Sequence, residues 1–294
     1  MSKEAFIIFV KIFPFFLIVF PGFLNAEGIS SLQYVNSLEN PNGGFWPNSS
    51  NKGTKSSLRA TVSALRVYKY EGVKMTNYEK HRKFISSCWD SKTQGFADYP
   101  GGPVDVILTA VGLMGARDGG FLDDKTRFEG RKYLVENSKS FEEIRMASAY
   151  LADESPSPEV ASAWQKIIES KVNKDGTYGV GFSKARDSAS AWVTLLRLQI
   201  PIKYDRMLIG DFRKKDGGFG SAVSESSDLE TAYRVCRYFY MVKDKEMLRG
   251  TLGFVERCKN DDGGFASKPG EKSSLSSTYH ATIIKNWADS LNQK

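Results

Sequence analysis

The chain has 294 residues, 41% of them hydrophobic and 26% charged. That balance fits a globular protein and excludes a disordered one; 26 Gly and 3 Cys exclude a collagen repeat and a disulfide scaffold. The formal net charge of +7 is scattered, with no run of five cations, so no nucleic-acid partner is indicated.

The first element in chain order is a targeting signal. Ala5 to Leu24 is apolar apart from Lys11, carries Pro14 and Pro21, and follows Lys3. It ends on Leu24-Asn25-Ala26, with a small residue at the cut position. This pattern predicts a secretory signal peptide over 1–26, removed after about Ala26. The unbroken apolar run Ile12 to Leu24 is 13 residues, against the roughly 20 needed to span a bilayer. A single folded domain is expected over 27–294. It is expected to be secreted or periplasmic, with no stable membrane insertion after cleavage. Cys88, Cys236 and Cys258 each sit in an apolar helical context and read as buried free thiols.

From residue 30 onward a Gly-Gly-aromatic turn recurs. It stands as Asn42-Gly43-Gly44-Phe45, Gln94-Gly95-Phe96, Asp216-Gly217-Gly218-Phe219 and Asp262-Gly263-Gly264-Phe265, with a weaker copy at Asp175-Gly176-Thr177-Tyr178. The aromatic residues are spaced by 51, 82, 41 and 46. The gap of 82 is twice 41, which predicts a degenerate turn near Asn137 and six units in all. Gly119-Gly120-Phe121 is out of phase and reads as a connecting loop. Apolar residues at spacings of three and four predict a helix on each side of every turn. The expected pairs are 31–38 with 57–68, 78–89 with 104–114, 126–136 with 141–151, 159–172 with 187–198, 204–213 with 228–241, and 244–258 with 276–291. Asp187, Asp228 and Ser276 are the expected caps of three second helices. No stretch alternates as a strand. Six such pairs can close into a double ring, with the second helix of each pair on the inner wall around a central cavity.

Outer helix, Asp/Asn-Gly-Gly-Phe turn and inner helix, repeated at 41 to 51 residues, resembles the prenyltransferase and squalene-oxidase repeat. The resemblance covers residues 30 to 290. It implies an all-α fold, the (α/α)6 toroid shared by protein prenyltransferase β subunits (farnesyl and geranylgeranyl transferases) and terpenoid cyclases. It also supplies candidate sites. The β subunits resembled here hold a catalytic zinc through an Asp-x-Cys pair opening an inner helix and a His in a Tyr-His pair. Asp228 and His280, the latter after Lys268-Pro269-Gly270 and Tyr279, match the zinc Asp and His; Glu230 stands where the Cys is expected. The implied metal set is therefore Asp228, Glu230 and His280, a three-ligand open site in which a carboxylate replaces a thiolate. The same residues have plain helical roles: Asp228 as an N-cap, Glu230 as a first-turn acid, His280 as packing on Tyr279.

Other family features are missing. Between Phe219 and Asp228 there is no cation and one anion, where the family's diphosphate pocket has Arg and Lys. Lys184 and Arg186 are the nearest substitutes and read as surface charges. The cyclase acid Asp-x-Asp-Asp is absent; Asp123-Asp124 and Asp261-Asp262 both lack its first Asp. Three functions therefore stand side by side. One is a zinc-dependent, prenyltransferase-type enzyme with a degenerate diphosphate pocket. The second is a non-catalytic module whose cavity binds an apolar or isoprenoid ligand, or a peptide, with Trp192, Tyr233, Phe239 and Tyr279 as expected lining. The third, a terpene cyclase, has the least support.

Overall fold

A computed structural model describes residues 29–153, 156–202, 207–220 and 226–292; the expected signal peptide lies outside them. Helices come in outer–inner pairs: α1 (Ser31–Ser37) and α2 (Leu58–Tyr70), then α3 (Tyr78–Ser87) and α4 (Val106–Asp118). Between α3 and α4, strands β1 (Trp89–Asp90) and β2 (Gly95–Phe96) form a two-residue antiparallel ribbon with Trp89 opposite Phe96. The remaining pairs are α5 (Asp124–Asn137) with α6 (Phe141–Tyr150), α7 (Pro158–Glu169) with α8 (Lys184–Arg197), α9 (Met207–Gly210) with α10 (Leu229–Met241), and α11 (Lys245–Arg257) with α12 (Leu275–Asn292). The inner helices α2, α4, α6, α8, α10 and α12 each pack on the next, and α12 packs on α2. The ring is closed.

The expected degenerate turn is the short link Ser138–Ser140 between α5 and α6, which has no Gly-Gly. Gly119–Phe121 connects α4 to α5, and Phe121 packs edge-on against Tyr78. Two of the expected caps fall elsewhere. A 3-10 turn over Gly181–Ser183 runs straight into α8, so Asp187 lies in the first turn. At α12, Ser274 takes the cap, its hydroxyl accepting from the Ser277 N–H at 3.2 Å. Asp228 caps α10 as expected. Cys88, Cys236 and Cys258 are buried free thiols, their pKa pushed up to about 12, first of all by burial.

The turn chemistry repeats. In Asp262-Gly263-Gly264-Phe265 the Asp262 carboxylate accepts from the Gly264 N–H at 2.9 Å. Gly263 has φ of +82°, a region that side chains avoid. Gly264 is needed for a different reason: a Cβ there would lie 2.7 Å from Ser273 Cβ and 2.8 Å from the Tyr34 ring. Phe265 then drops into the core at 2% exposure, and its N–H donates to the Thr278 hydroxyl at 3.0 Å. Phe45 uses Thr61 at 3.0 Å, Phe96 uses Thr109 at 2.9 Å, and Tyr178 uses Ser188 at 2.8 Å in the same way. Each aromatic thus fills the gap between the two walls while the inner helix satisfies its buried N–H.

Candidate ligand-binding channel

The inner helices enclose two chambers. The first is lined from their N-terminal halves, with Val62, Ile107, Val111, Glu142, Glu230 and His280 in its wall, and holds about 250 Å³. The second is lined from their C-terminal halves, with Lys69, Tyr70, Arg117, Asp118, Arg197 and Arg237, and holds about 510 Å³. Arg66, Met114, Arg145, Met146, Tyr233 and Tyr279 line both and form the waist. On each helix the channel residues follow the helical period: Ser190, Val193 and Arg197 on α8; Glu230, Tyr233, Arg234 and Arg237 on α10.

At the wall of the N-terminal chamber, two glutamates and two arginines interlock. Arg145 meets Glu142 through Nε at 2.8 Å and Nη2 at 2.5 Å. Arg234 lies 3.4 Å from both Glu142 oxygens, 2.7 Å from Glu230 and 3.3 Å from the Ser190 hydroxyl. Burial alone would raise the Glu142 carboxyl, but Arg145 and Arg234 bring it down to about 2. Glu230 is also lowered: its burial is outweighed by Arg234, with a smaller pull from His280.

The waist is aromatic and basic. Tyr233 stacks on His280 with ring centroids 4.3 Å apart and planes at 15°, and on Trp287 at 5.7 Å. Its hydroxyl accepts from Arg237 Nη2 at 3.1 Å and lies 3.4 Å from the Tyr279 hydroxyl, which Arg66 also reaches at 3.4 Å. Burial would raise the Tyr233 phenol, but the Arg237 charge overrides it and draws the pKa down to about 7. Tyr279 is held up instead, first by burial and then by its neighbour Tyr233. Burial lowers His280 to about 4 against the opposing pull of Glu230, so its imidazole is neutral at pH 7.

The structure brings Tyr233, Tyr279, Glu230 and His280 to the channel and leaves three sequence candidates outside it. Asp228 stays at the tip of α10, where its two oxygens accept from the Thr231 N–H and hydroxyl, each at 2.8 Å. Trp192 and Phe239, expected on the cavity wall, are buried in the core instead. Trp192 is fully buried edge-on to Tyr238, and Phe239 is 1% exposed against the turn aromatic Phe219. Both are out of phase with the channel-facing residues of their own helices. As placed, Asp228, Glu230 and His280 do not fit a zinc ion: both Asp228 oxygens are used in capping, and Glu230 is held by Arg234 in a strongly cationic wall. Lys184 pairs with Asp175 at 2.6 Å and Arg186 with Asp187 at 3.1 Å, away from the channel lining. Sequence reasoning missed Arg66, Arg145, Arg197 and Arg237. Their signal was cations at three- and four-residue spacings from other channel positions, on helices packed on both sides.

The model of the prenyltransferase alpha-alpha toroid domain matches residues 68–117 and 144–291. The chain belongs to that family. No curated protein sequence matches it. Among solved structures, it is similar to Candida albicans protein geranylgeranyltransferase-I complexed with GGPP, at 13% identity and TM-score 0.62, over 83% of this chain and 87% of that one. It is also similar to the type II terpene cyclase MstE from Scytonema, at 10% identity and TM-score 0.62, over 90% and 96%. A third similar structure is an alpha-amylase from Clostridium perfringens, at 12% identity and TM-score 0.60, over 88% and 96%. At these identities the likeness is one of fold, and the three names span unrelated chemistries.

Proposed function

We propose that the protein is a ligand-binding toroid whose central channel takes a small amphiphilic, isoprenoid-like molecule, and that it carries out no zinc–thiolate transfer. The carrying observation is the N-terminal chamber: Val62, Ile107, Val111, Met114 and Met146 form one apolar wall opening onto the polar waist. The two chambers together fall within the ~300–1,000 Å³ typical of small-molecule sites. Structures with the same fold support the ligand class. One is complexed with GGPP, and another of the cyclase holds geranylgeranyl dihydroxybenzoate. Against metal-dependent transfer stands the Glu142–Arg145–Arg234–Glu230 network, which occupies the carboxylate that zinc would need. Export remains part of the reading, on the apolar run before Ala26.

The test is calorimetric titration of the protein with geranylgeraniol, a neutral probe. Wild type should bind. Val111→Trp, which fills the apolar chamber, should weaken binding at least tenfold without lowering the Tm. No binding by wild type, or equal binding by the filled variant, would overturn the reading. Stoichiometric zinc in the purified protein, lost in His280→Ala, would return the transferase reading.

A further inference from the structure

The first and last units carry the same turn but close it differently. In both, the turn aromatic pairs with the serine before the inner helix: Phe45 with Ser57, and Phe265 with Ser274. Counting back from those serines sets Ser56 against Ser273 and Thr54 against Glu271; counting back from the aromatics sets Asn40 against Asn260. In the last unit the Asn260 NH2 group has two acceptors, the Glu271 carbonyl and the Ser273 hydroxyl, each at 2.9 Å. Ser273 in turn donates to Asp262 at 2.8 Å. The loop of that unit is tied down onto its own turn.

In the first unit both acceptors are gone. Its loop is three residues longer, and the extra length winds into a 3-10 turn over Ser49–Asn51. The Thr54 carbonyl accepts from the Trp46 indole N–H at 2.8 Å, where the last unit has only Ala266 at the matching place. The Ser56 hydroxyl donates to the Gly43 carbonyl at 2.6 Å. Asn40 keeps the half of its amide that builds the turn, its oxygen accepting from the Asn42 N–H at 2.9 Å. Its NH2 group donates to nothing among the described residues, although Asn40 is only 8% exposed. A buried amide donor normally has an acceptor. Beside it opens a groove of about 600 Å³, lined in part by Asn40, Gly53, Lys55, Phe84, Tyr99 and Pro100. The groove shares no residue with either chamber of the channel.

The repeat itself shows what fits against this amide: a main-chain carbonyl, as Glu271 supplies in the last unit. A sugar would need an open ring face, and Lys55 Nζ already lies over Tyr99, 4.2 Å from the ring centroid. Phe84 and Pro100 instead offer apolar surface to the side chains of a peptide. Lys55 is exposed and has no ion pair among the described residues, and no acidic residue lines the groove. The local charge therefore suits an anionic partner.

We infer that this groove is a docking site for an acidic peptide segment of a partner protein, with one main-chain carbonyl accepting from Asn40 and a carboxylate meeting Lys55. The external segment takes the place that the loop of the last unit takes for itself. Nothing in this inference depends on the channel.

The test is an NMR titration of the purified protein with the blocked pentapeptide Pro-Gly-Glu-Asn-Ser, which copies residues 269–273 with Lys272→Asn. Wild type should bind it, and should bind a copy with glutamine for the glutamate at least threefold more weakly. Asn40→Asp keeps the oxygen that accepts from Asn42 and removes the NH2 donor, so it should weaken binding at least tenfold without lowering the Tm. Lys55→Glu changes an exposed side chain and should also weaken binding at least tenfold, which keeps the test decisive if Asn40→Asp disturbs the turn. Geranylgeraniol binding should be the same in both variants and wild type. Absence of peptide binding by wild type, equal binding of the two peptides, or undiminished binding in Lys55→Glu or in a folded Asn40→Asp would each overturn the site. Binding of maltotriose in place of the peptide would overturn the peptide assignment.

Discussion

His280 is a residue whose position fixes its protonation. It stacks face to face on Tyr233, and burial lowers its imidazole to about 4, although Glu230 pulls the other way. In an unfolded chain an imidazole titrates near ~6.5. Between those two values the unfolded chain takes up a proton that the folded one refuses, so stability rises with pH across this window. The contribution is complete above about 6.5 and is lost as pH falls through about 4, a loss on the order of 1–3 kcal/mol. His81, the other of the two histidines, is lowered by burial as well, and the Glu142 and Glu230 carboxyls add their own acid sensitivity. A variant is needed to isolate the His280 share. His280→Phe keeps a stacking ring and removes the proton site, so its Tm should fall less than that of wild type between pH 7 and 4.5. Proton NMR should place the His280 imidazole well below a free histidine. An ordinary imidazole titration at His280, or identical pH slopes for the two proteins, would contradict this account.

The turn and the inner helix behind it act as one element. Thr278 accepts from the Phe265 N–H at 3.0 Å and donates to the Ser274 carbonyl at 2.8 Å. Thr278→Val keeps the shape and strands a buried N–H, which should cost about 1–3 kcal/mol. Thr278→Ser keeps the bond and should cost clearly less. Urea midpoints of the two variants decide the matter, and equal losses would mean that the hydroxyl is dispensable. These elements were legible in the sequence because the turn imposes strict local demands: a Gly at positive φ, a Gly with no room for a Cβ, and an aromatic. Even the missing copy could be placed near Asn137 by spacing alone. The channel was harder to read, because aromatic character does not tell which side of a helix a residue occupies. Trp192 and Phe239 have the aromatic character expected of lining, yet they lie off the faces that carry Val193 and Arg237. Counting by three and four from Tyr233 would have reached Glu230 and Arg237. Asp228 resembled a metal ligand because a cap and a ligand use the same residue at the same helix start.

At the scale of the molecule, closure can be followed through one repeated bond. The N–H of Leu58, opening α2, donates to the carbonyl of Asp98, two residues after the next unit's aromatic Phe96, at 2.7 Å. Leu229, opening α10, donates to Ser267, two residues after Phe265, at 2.8 Å. Leu275, opening α12, donates to Pro47, two residues after Phe45, at 2.9 Å. The last unit therefore joins the first as internal neighbours join each other. The outer wall repeats the pattern: a Cβ on Gly218 would strike Phe254 of α11 at 2.6 Å, and one on Gly264 would strike Tyr34 of α1 at 2.8 Å. An open array would spread its stability over nearest neighbours and could lose an end contact cheaply. A closed ring has no end, so an internal joint and the closing joint should weaken alike. Gly218→Ala and Gly264→Ala each overpack a joint, at a cost of roughly 1–3 kcal/mol, and for a chain of this size each ~1 kcal/mol lowers the Tm by roughly 2–4 °C. Both variants should lose a similar number of degrees and still melt in a single transition followed by circular dichroism. A Gly264→Ala protein that melts like wild type while Gly218→Ala is destabilised would mean that the outer-wall joint of the last unit with α1 carries little of the stability and that this wall behaves as an open arc.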